Sequence, residues 1–161
     1  MKSLAVILCL FLGWIAVDLP TIREHFRKAK DSQSATESLY NELVGYTMGD
    51  PVVLAYKGAS QTLKARFEKN RAKKKVLVGQ GIKILEESVK AAPDEVEIRL
   101  VRLAIQENAP KILKYKANMK EDKQMILTNF AAQSVAVKRI IRQYVAQSDY
   151  FSQTEKDKVA E

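Results

Sequence analysis

The chain has 161 residues, 47% hydrophobic and 29% charged, with a formal net charge of +8 at neutral pH. That length allows one domain with a real core, and the basic balance favours solubility and attraction to anionic surfaces without choosing a fold. The only cysteine, Cys9, lies in an apolar N-terminal run; once that run is removed the chain has no disulfide, no cysteine metal site and no cysteine nucleophile.

Met1 and Lys2 form a short positive start, and an apolar run follows from Leu4 to Val17, with Gly13 as its small residue. The run is short for a bilayer span, which needs about 20 residues, and matches the apolar region of a secretory signal. Residues 1–17 are expected to be a signal peptide or a retained signal anchor. The anchor is an option because Trp14 occupies a position that cleavage after Ala16 would prefer small. Cys9 is a poor lipid-attachment site, since Leu8 precedes it. Residues 18–161 are expected to be a single helical domain, exported to the periplasm or held at the membrane of the cell envelope.

Leu19 to Lys30 reads as a first helix with Ile22, Phe26 and Ala29 on one face. His25 stands alone among basic neighbours and is expected at the surface, with no metal role. Ser34 and Glu37 have capping-box spacing for a second helix, whose apolar face is Leu39, Tyr40, Leu43 and Val44; Gly45 and Gly49 bracket its end. Asp50-Pro51 is a helix start, a capping residue followed by proline at the first helical position. Val52, Ala55, Tyr56, Ala59, Leu63 and Phe67 then recur on a helical period. Gly58 and the alanines thin this helix and would let a neighbour approach closely. Val78, Gly81, Ile82, Leu85, Val89 and Ala92 supply the next helical set.

Between these two helices lies KARFEKNRAKKK. Its basic residues are Lys64, Arg66, Lys69, Arg71, Lys73, Lys74 and Lys75, against the single acid Glu68. The plain reading is a solvated inter-helix loop, with lysines suited to a helix C-terminus. The alternative is a basic patch for anionic lipid or nucleic acid. Only Phe67 interleaves with the charges, so single-strand stacking is poorly supported and nucleic acid is disfavoured.

The most apolar helix follows the joint at Pro93, which cannot continue the helix before it. Asp94 is expected to cap the new helix, with Glu97 completing a capping box. Val96, Ile98, Leu100, Val101, Leu103, Ala104 and Ile105 leave only one polar stripe, Glu95, Arg99, Arg102 and Gln106. Such a helix is expected to be central and enclosed, ending at Asn108 before Pro110. The stripe has two readings. One is a solvated edge helped by a Glu95–Arg99 pair. The other is a groove in which arginine forks face a partner.

Beyond Pro110, Asn118 is expected to cap a helix that turns Met119, Ile126 and Phe130 inward. Val137, Ile140, Ile141, Tyr144 and Val145 mark a long helix, and Ser152 with Glu155 has capping-box spacing for a tail helix. No segment alternates with period two, so little or no sheet is expected. There is no phosphate loop, HExxH, GxSxG or paired Cys/His spacing. The acidic clusters at Glu86–Glu87, Asp94–Glu97 and Glu121–Asp122 are accounted for by helix ends or solvated faces. No enzyme activity, cofactor or metal is therefore expected.

Two resemblances bear on this reading. Leu85 and Ser88 followed by Pro93-Asp94 resemble the second half of a tetratricopeptide repeat, although no second copy stands at a period of 34. The runs DPVVLAYKGAS, LEESVKAAPDEVEIRLVRLAIQENAPKILKY and NMKEDKQMIL resemble a family of small exported helical proteins from Bacteroidota bacteria. Tyr56, Lys57, Gly58, Pro93, Glu97, Arg99, Arg102, Gln106, Asn108, Pro110, Tyr115, Asp122 and Lys123 carry that likeness. It implies export and envelope location, and implies no reaction.

The expected fold is all-α, about six or seven helices in antiparallel hairpins with tetratricopeptide-like packing. The expected function is a non-catalytic interaction module that takes a protein or peptide segment near Arg99, Arg102, Gln106 and Tyr115. The alternative is a basic peripheral protein adhering to anionic membrane through Lys64–Lys75.

Overall fold

A computed structural model describes residues 18–47 and 49–160. The segment expected to direct export lies outside the described residues. Those residues form eight α-helices and two 3-10 turns, with no strand. The helices are α1 (Leu19–Ala29), α2 (Gln33–Val44), α3 (Pro51–Lys64), α4 (Arg71–Ala91), α5 (Val96–Asn108), α6 (Met119–Asn129), α7 (Val135–Gln147) and α8 (Gln153–Ala160). That is one helix more than the upper expectation. Among the described residues, no helix is long and apolar enough to cross a membrane.

Successive helices pair as hairpins: α1 with α2, α2 with α3, α3 with α4, α5 with α6, and α7 with α8. Short joints force neighbours to run antiparallel. The tightest pairing is α3 on α4. A methyl group on Gly58 would sit 2.6 Å from the Gly81 carbonyl oxygen, and one on Gly81 would sit 2.6 Å from that of Gly58. Two glycines thus let two helix backbones touch, as the thin face of α3 predicted.

Local signals set most boundaries. The Asp50 side chain accepts from the Val52 and Val53 amides, 2.8 and 3.3 Å away, with Pro51 behind it. Ser152 and Glu155 cap α8 reciprocally: the Ser152 amide donates to Glu155, 2.8 Å, and the Glu155 amide to Ser152 Oγ, 3.4 Å. Ala109 is extended, as the residue before Pro110 must be. Three caps differ from expectation. Ser32, not Ser34, caps α2. Glu95, not Asp94, caps α5. Asn118 stands at the start of α6 without donating or accepting a side-chain cap bond.

The core divides around α5. Ile98, Val101 and Ile105 pack with α1–α4, among Ile22, Leu39, Leu43, Tyr56 and Leu85. Val96, Leu100 and Leu103 pack with α6–α8, among Ile126, Phe130, Ile141, Val145 and Phe151. Each fully buried aliphatic side chain contributes roughly 1.5–3 kcal/mol over exposure. The enclosed central helix is what holds the two groups of helices to one another.

Candidate functional site

The polar stripe of α5 lies inside the protein. Arg99 and Arg102 are 8% and 2% exposed, and Gln106 is fully buried. Arg102 meets the fully buried Asp122 of α6 as a two-pronged fork: Nε donates to Oδ2 at 2.7 Å and Nη2 to Oδ1 at 2.6 Å. Its Nη1 donates to Glu86 of α4 at 2.9 Å. Arg99 Nη1 donates to Asp122 and to Glu121, 3.1 and 2.8 Å away, and its Nε to the Pro93 carbonyl, 2.9 Å. The Tyr115 hydroxyl completes the seam by donating to Glu86.

The expected Glu95–Arg99 pair does not form, because Arg99 is held by Asp122 and Glu121 on the facing helix. The stripe is neither a solvated edge nor an open groove: the guanidinium donors are directed into the chain's own carboxylates. Burial lowers the proton affinity of Arg102, but Asp122 and Glu86 outweigh it and hold its pKa above the ordinary value. Burial, then the Glu86 carboxylate, pushes the Tyr115 hydroxyl well up. Arg99 holds the exposed Glu121 carboxyl below the usual range. The Gln106 side chain joins no hydrogen bond; both its amide atoms are buried without a partner among the described residues.

A second seam ties three helices. Arg23 of α1 forks onto the buried Glu97 of α5, 2.7 and 2.6 Å, and Tyr56 of α3 donates to the same carboxylate at 2.8 Å. Burial, then Glu97, raises the Tyr56 hydroxyl well above its ordinary pKa. Phe26 packs edge-on against Tyr56 with centroids 5.2 Å apart. Glu97 and Asp122, read from sequence as acids of helix ends or solvated faces, are therefore buried anchors of ion pairs. A third acid, Glu107, accepts from Tyr144 and from Ser148 Oγ, the latter at 2.9 Å, which fastens α7 to α5.

The open feature is on another side of α5. A groove of about 1,050 Å³ runs between α1, α3, α4, α5 and α7, with the 3-10 turn Lys111–Leu113 at its edge. Leu63 of α3, Val78 and Ile82 of α4, Leu100, Val101, Ala104 and Ile105 of α5, and Ile140 of α7 give it an apolar floor. Tyr115 is the expected partner-contacting residue that lines it; Arg99, Arg102 and Gln106 are not among the lining residues. Leu113 and the 87% exposed Ile112 also line the groove and leave apolar surface in solvent.

Half of the expected basic loop is helix: residue 64 and residues 71–75 are helical, and residues 65–70 form the joint. Lys64 ends α3 and pairs with Glu37 at 3.0 Å. Arg66 donates to the Lys30 carbonyl, 2.9 Å away. Lys69 lies in the joint, Asn70 caps α4, and Arg71, Lys73, Lys74 and Lys75 occupy its first turns. They stand at the positive end of the helix rather than the negative end that lysines suit. Residues 71–80 contain no buried residue, so this end of α4 overhangs the core. Arg66, Arg71, Lys74 and Lys75 line the groove.

His25 faces Glu42 across 2.8 Å at the surface. Among the described residues, no group of three or more His, Cys, Asp or Glu side chains is placed to hold a metal ion. Sequence periodicity did include Val78 and Ile82 in a helical face, but nothing in the spacing separates an apolar residue that a neighbour covers from one left at a groove. The local signal was the basic run directly before them, with no acid in the first turn of the helix. Together, fold and groove define a helical protein with an open apolar trough and a basic lip. No known family, curated protein or solved structure matches the chain.

Proposed function

We propose that this protein is an exported, non-catalytic interaction module of the cell envelope that holds an apolar segment of a partner protein. The supporting observation is the groove: an opening of about 1,050 Å³ with an aliphatic floor directly over the core. Val78, Ile82, Ala104 and Ile140 are only half-buried there, and apolar surface left open to water in a groove ordinarily marks a binding surface. Export is supported by the apolar run of residues 4–17 and by the resemblance to small exported helical proteins. The contact residues differ from those first expected: Tyr115 stays, and Val78, Ile82, Ala104 and Ile140 replace the buried stripe. Passing a native envelope extract over the immobilised protein and over an Ala104→Trp variant tests this. The reading expects proteins retained by the first and lost from the second. Identical retention profiles on both would defeat it.

The alternative is adhesion to anionic membrane. It is favoured by Lys69, Arg71, Lys73, Lys74 and Lys75, which are exposed and make no ion pair among the described residues. Each such residue near an anionic surface contributes about 1 kcal/mol. Vesicle co-sedimentation that survives charge reversal at Lys73, Lys74 and Lys75 would eliminate it.

A further inference from the structure

The groove is electrically lopsided. Lys30, Arg66, Arg71, Lys74 and Lys75 line the side built from α1, α3 and α4, where Asp31 is the one acid among the lining residues. The side built from α5 and α7 carries Glu107, already engaged by Tyr144 and Ser148, and Asp149. Arg71, Lys74 and Lys75 make no ion pair among the described residues, and the first turn of α4 holds no acid. Their mutual repulsion and the helix dipole both oppose this placement. Negative charge brought by a partner would relieve both at once.

Resting on the groove reading above, we infer that the partner segment is an acidic amphipathic helix, seated with its acidic flank against the first turns of α4. The size of the groove fits this occupant. Its volume is just above the range of about 300–1,000 Å³ usual for small-molecule cavities. The exposed Ile112 at its edge leaves it open to a long segment laid in from the side. The overhanging stretch of α4 covers residues 71–80, about 15 Å of helix. A partner helix of similar length presents anchors at i, i+3, i+4 and i+7, the spacing by which amphipathic helices fill apolar grooves. The acidic flank sets the direction and steers the encounter, while the aliphatic floor supplies the burial.

A displayed library of helical peptides roughly three turns long tests this, with leucine at i, i+3, i+4 and i+7 and Glu, Lys, Gln or Ser randomised on both flanks. Selection on the protein is expected to enrich Glu along one flank. A selected peptide should bind the Lys74→Glu, Lys75→Glu variant at least tenfold more weakly, and a Lys-flanked version should recover affinity for that variant. Binding should vanish with Ala104→Trp, or with Val78→Trp if the first variant unfolds. Enrichment without acidic bias, lost on filling the groove, would overturn the inference and leave the groove reading standing. No enrichment, or binding indifferent to the groove-filling variants, would overturn both. Phosphatidylglycerol vesicles that bind through the groove while all peptides fail would identify a lipid occupant and overturn the inference.

Discussion

The α5 helix has a charged side and an apolar side, and the chain treats them in opposite ways. The charged stripe is closed: α6 lays Asp122 against Arg99 and Arg102, and Glu86 and Tyr115 take the donors that remain. The side bearing Ala104 is left open, because among the described residues no helix covers the space between α4 and α7. The contrast shows that chemical character alone does not place a residue. Two guanidinium groups go inside when carboxylates meet them there, and aliphatic residues stay at a surface when nothing is packed over them. Closed and open sides can be told apart by substitution, since one should govern stability and the other association.

The largest effect is expected at Asp122. Its removal leaves two buried guanidinium groups facing no fully buried carboxylate, and breaking a buried pair in this way costs about 3–5 kcal/mol. Asp122→Ala should therefore lower the urea midpoint severely or abolish folding. Loss of less than about 1 kcal/mol, within the usual worth of exposed pairs, would mean the seam is open to water and the comparison fails. Ala104→Trp, on the open side, should leave the same midpoint nearly unchanged.

Next come the three tyrosines that donate to carboxylates: Tyr56 to Glu97, Tyr115 to Glu86 and Tyr144 to Glu107. Burial first, and the acceptor carboxylate second, raises each hydroxyl above the ordinary value of 10.0. Such a group contributes its full stability below the unfolded pKa of about 10. Above it the unfolded chain ionises first, so stability is lost as pH rises toward the raised folded value. Urea unfolding between neutral and strongly alkaline pH should show that decline, with tyrosinate absorbance appearing only on unfolding for these three residues. Tyr56→Phe removes a hydrogen bond to a charged acceptor, worth about 1.5–3 kcal/mol, and should flatten the alkaline slope.

Gln106 sharpens the comparison from the other direction. It lies on the closed side yet has no partner for either amide atom among the described residues. A buried amide without partners costs about 1–3 kcal/mol, whereas an apolar group of the same shape there is neutral or stabilising. Gln106→Met should raise the melting temperature or leave it unchanged. A clear fall would show that the amide is hydrogen-bonded in solution.

Much of this architecture was legible from local signals that have no competitor. Asp50-Pro51, Pro93, the Ala109-Pro110 step and the Ser152/Glu155 box act within four residues, and they fall where they were read. The close approach at Gly58 was legible because only small residues permit it. The failures share one cause. Glu97 has the spacing of a capping box, but Arg23 lies 74 residues away in sequence and takes both its oxygens. Arg99 has Glu95 four residues before it, but Asp122, 23 residues on, is better placed. Long-range pairing overrides i,i+3 and i,i+4 preferences worth only tenths of a kcal/mol, and no spacing rule reveals it. The groove was illegible for the same reason: Val78 and Ile82 share a helical period with Leu85 and Val89, and only the tertiary arrangement covers one pair and not the other.

The smallest expected effect carries the clearest sign. Lys74 and Lys75 are exposed at the positive end of α4, beside Arg71 and Lys73, with no acid in the first turn. Each charge at a helix terminus is worth about 0.3–1 kcal/mol. Lys74→Glu, Lys75→Glu should therefore stabilise the free protein slightly, since the new acids suit the dipole and relieve repulsion with Arg71 and Lys73. The gain should shrink as salt is added, because exposed charges are screened. A residue pair that makes the free protein less stable and lines its open groove is the pattern expected where binding, rather than folding, uses the charge. Thermal unfolding at low and high salt reads the sign directly. A destabilised double variant would mean that these lysines pair within the chain in solution, and the open side would then be as self-contained as the closed one.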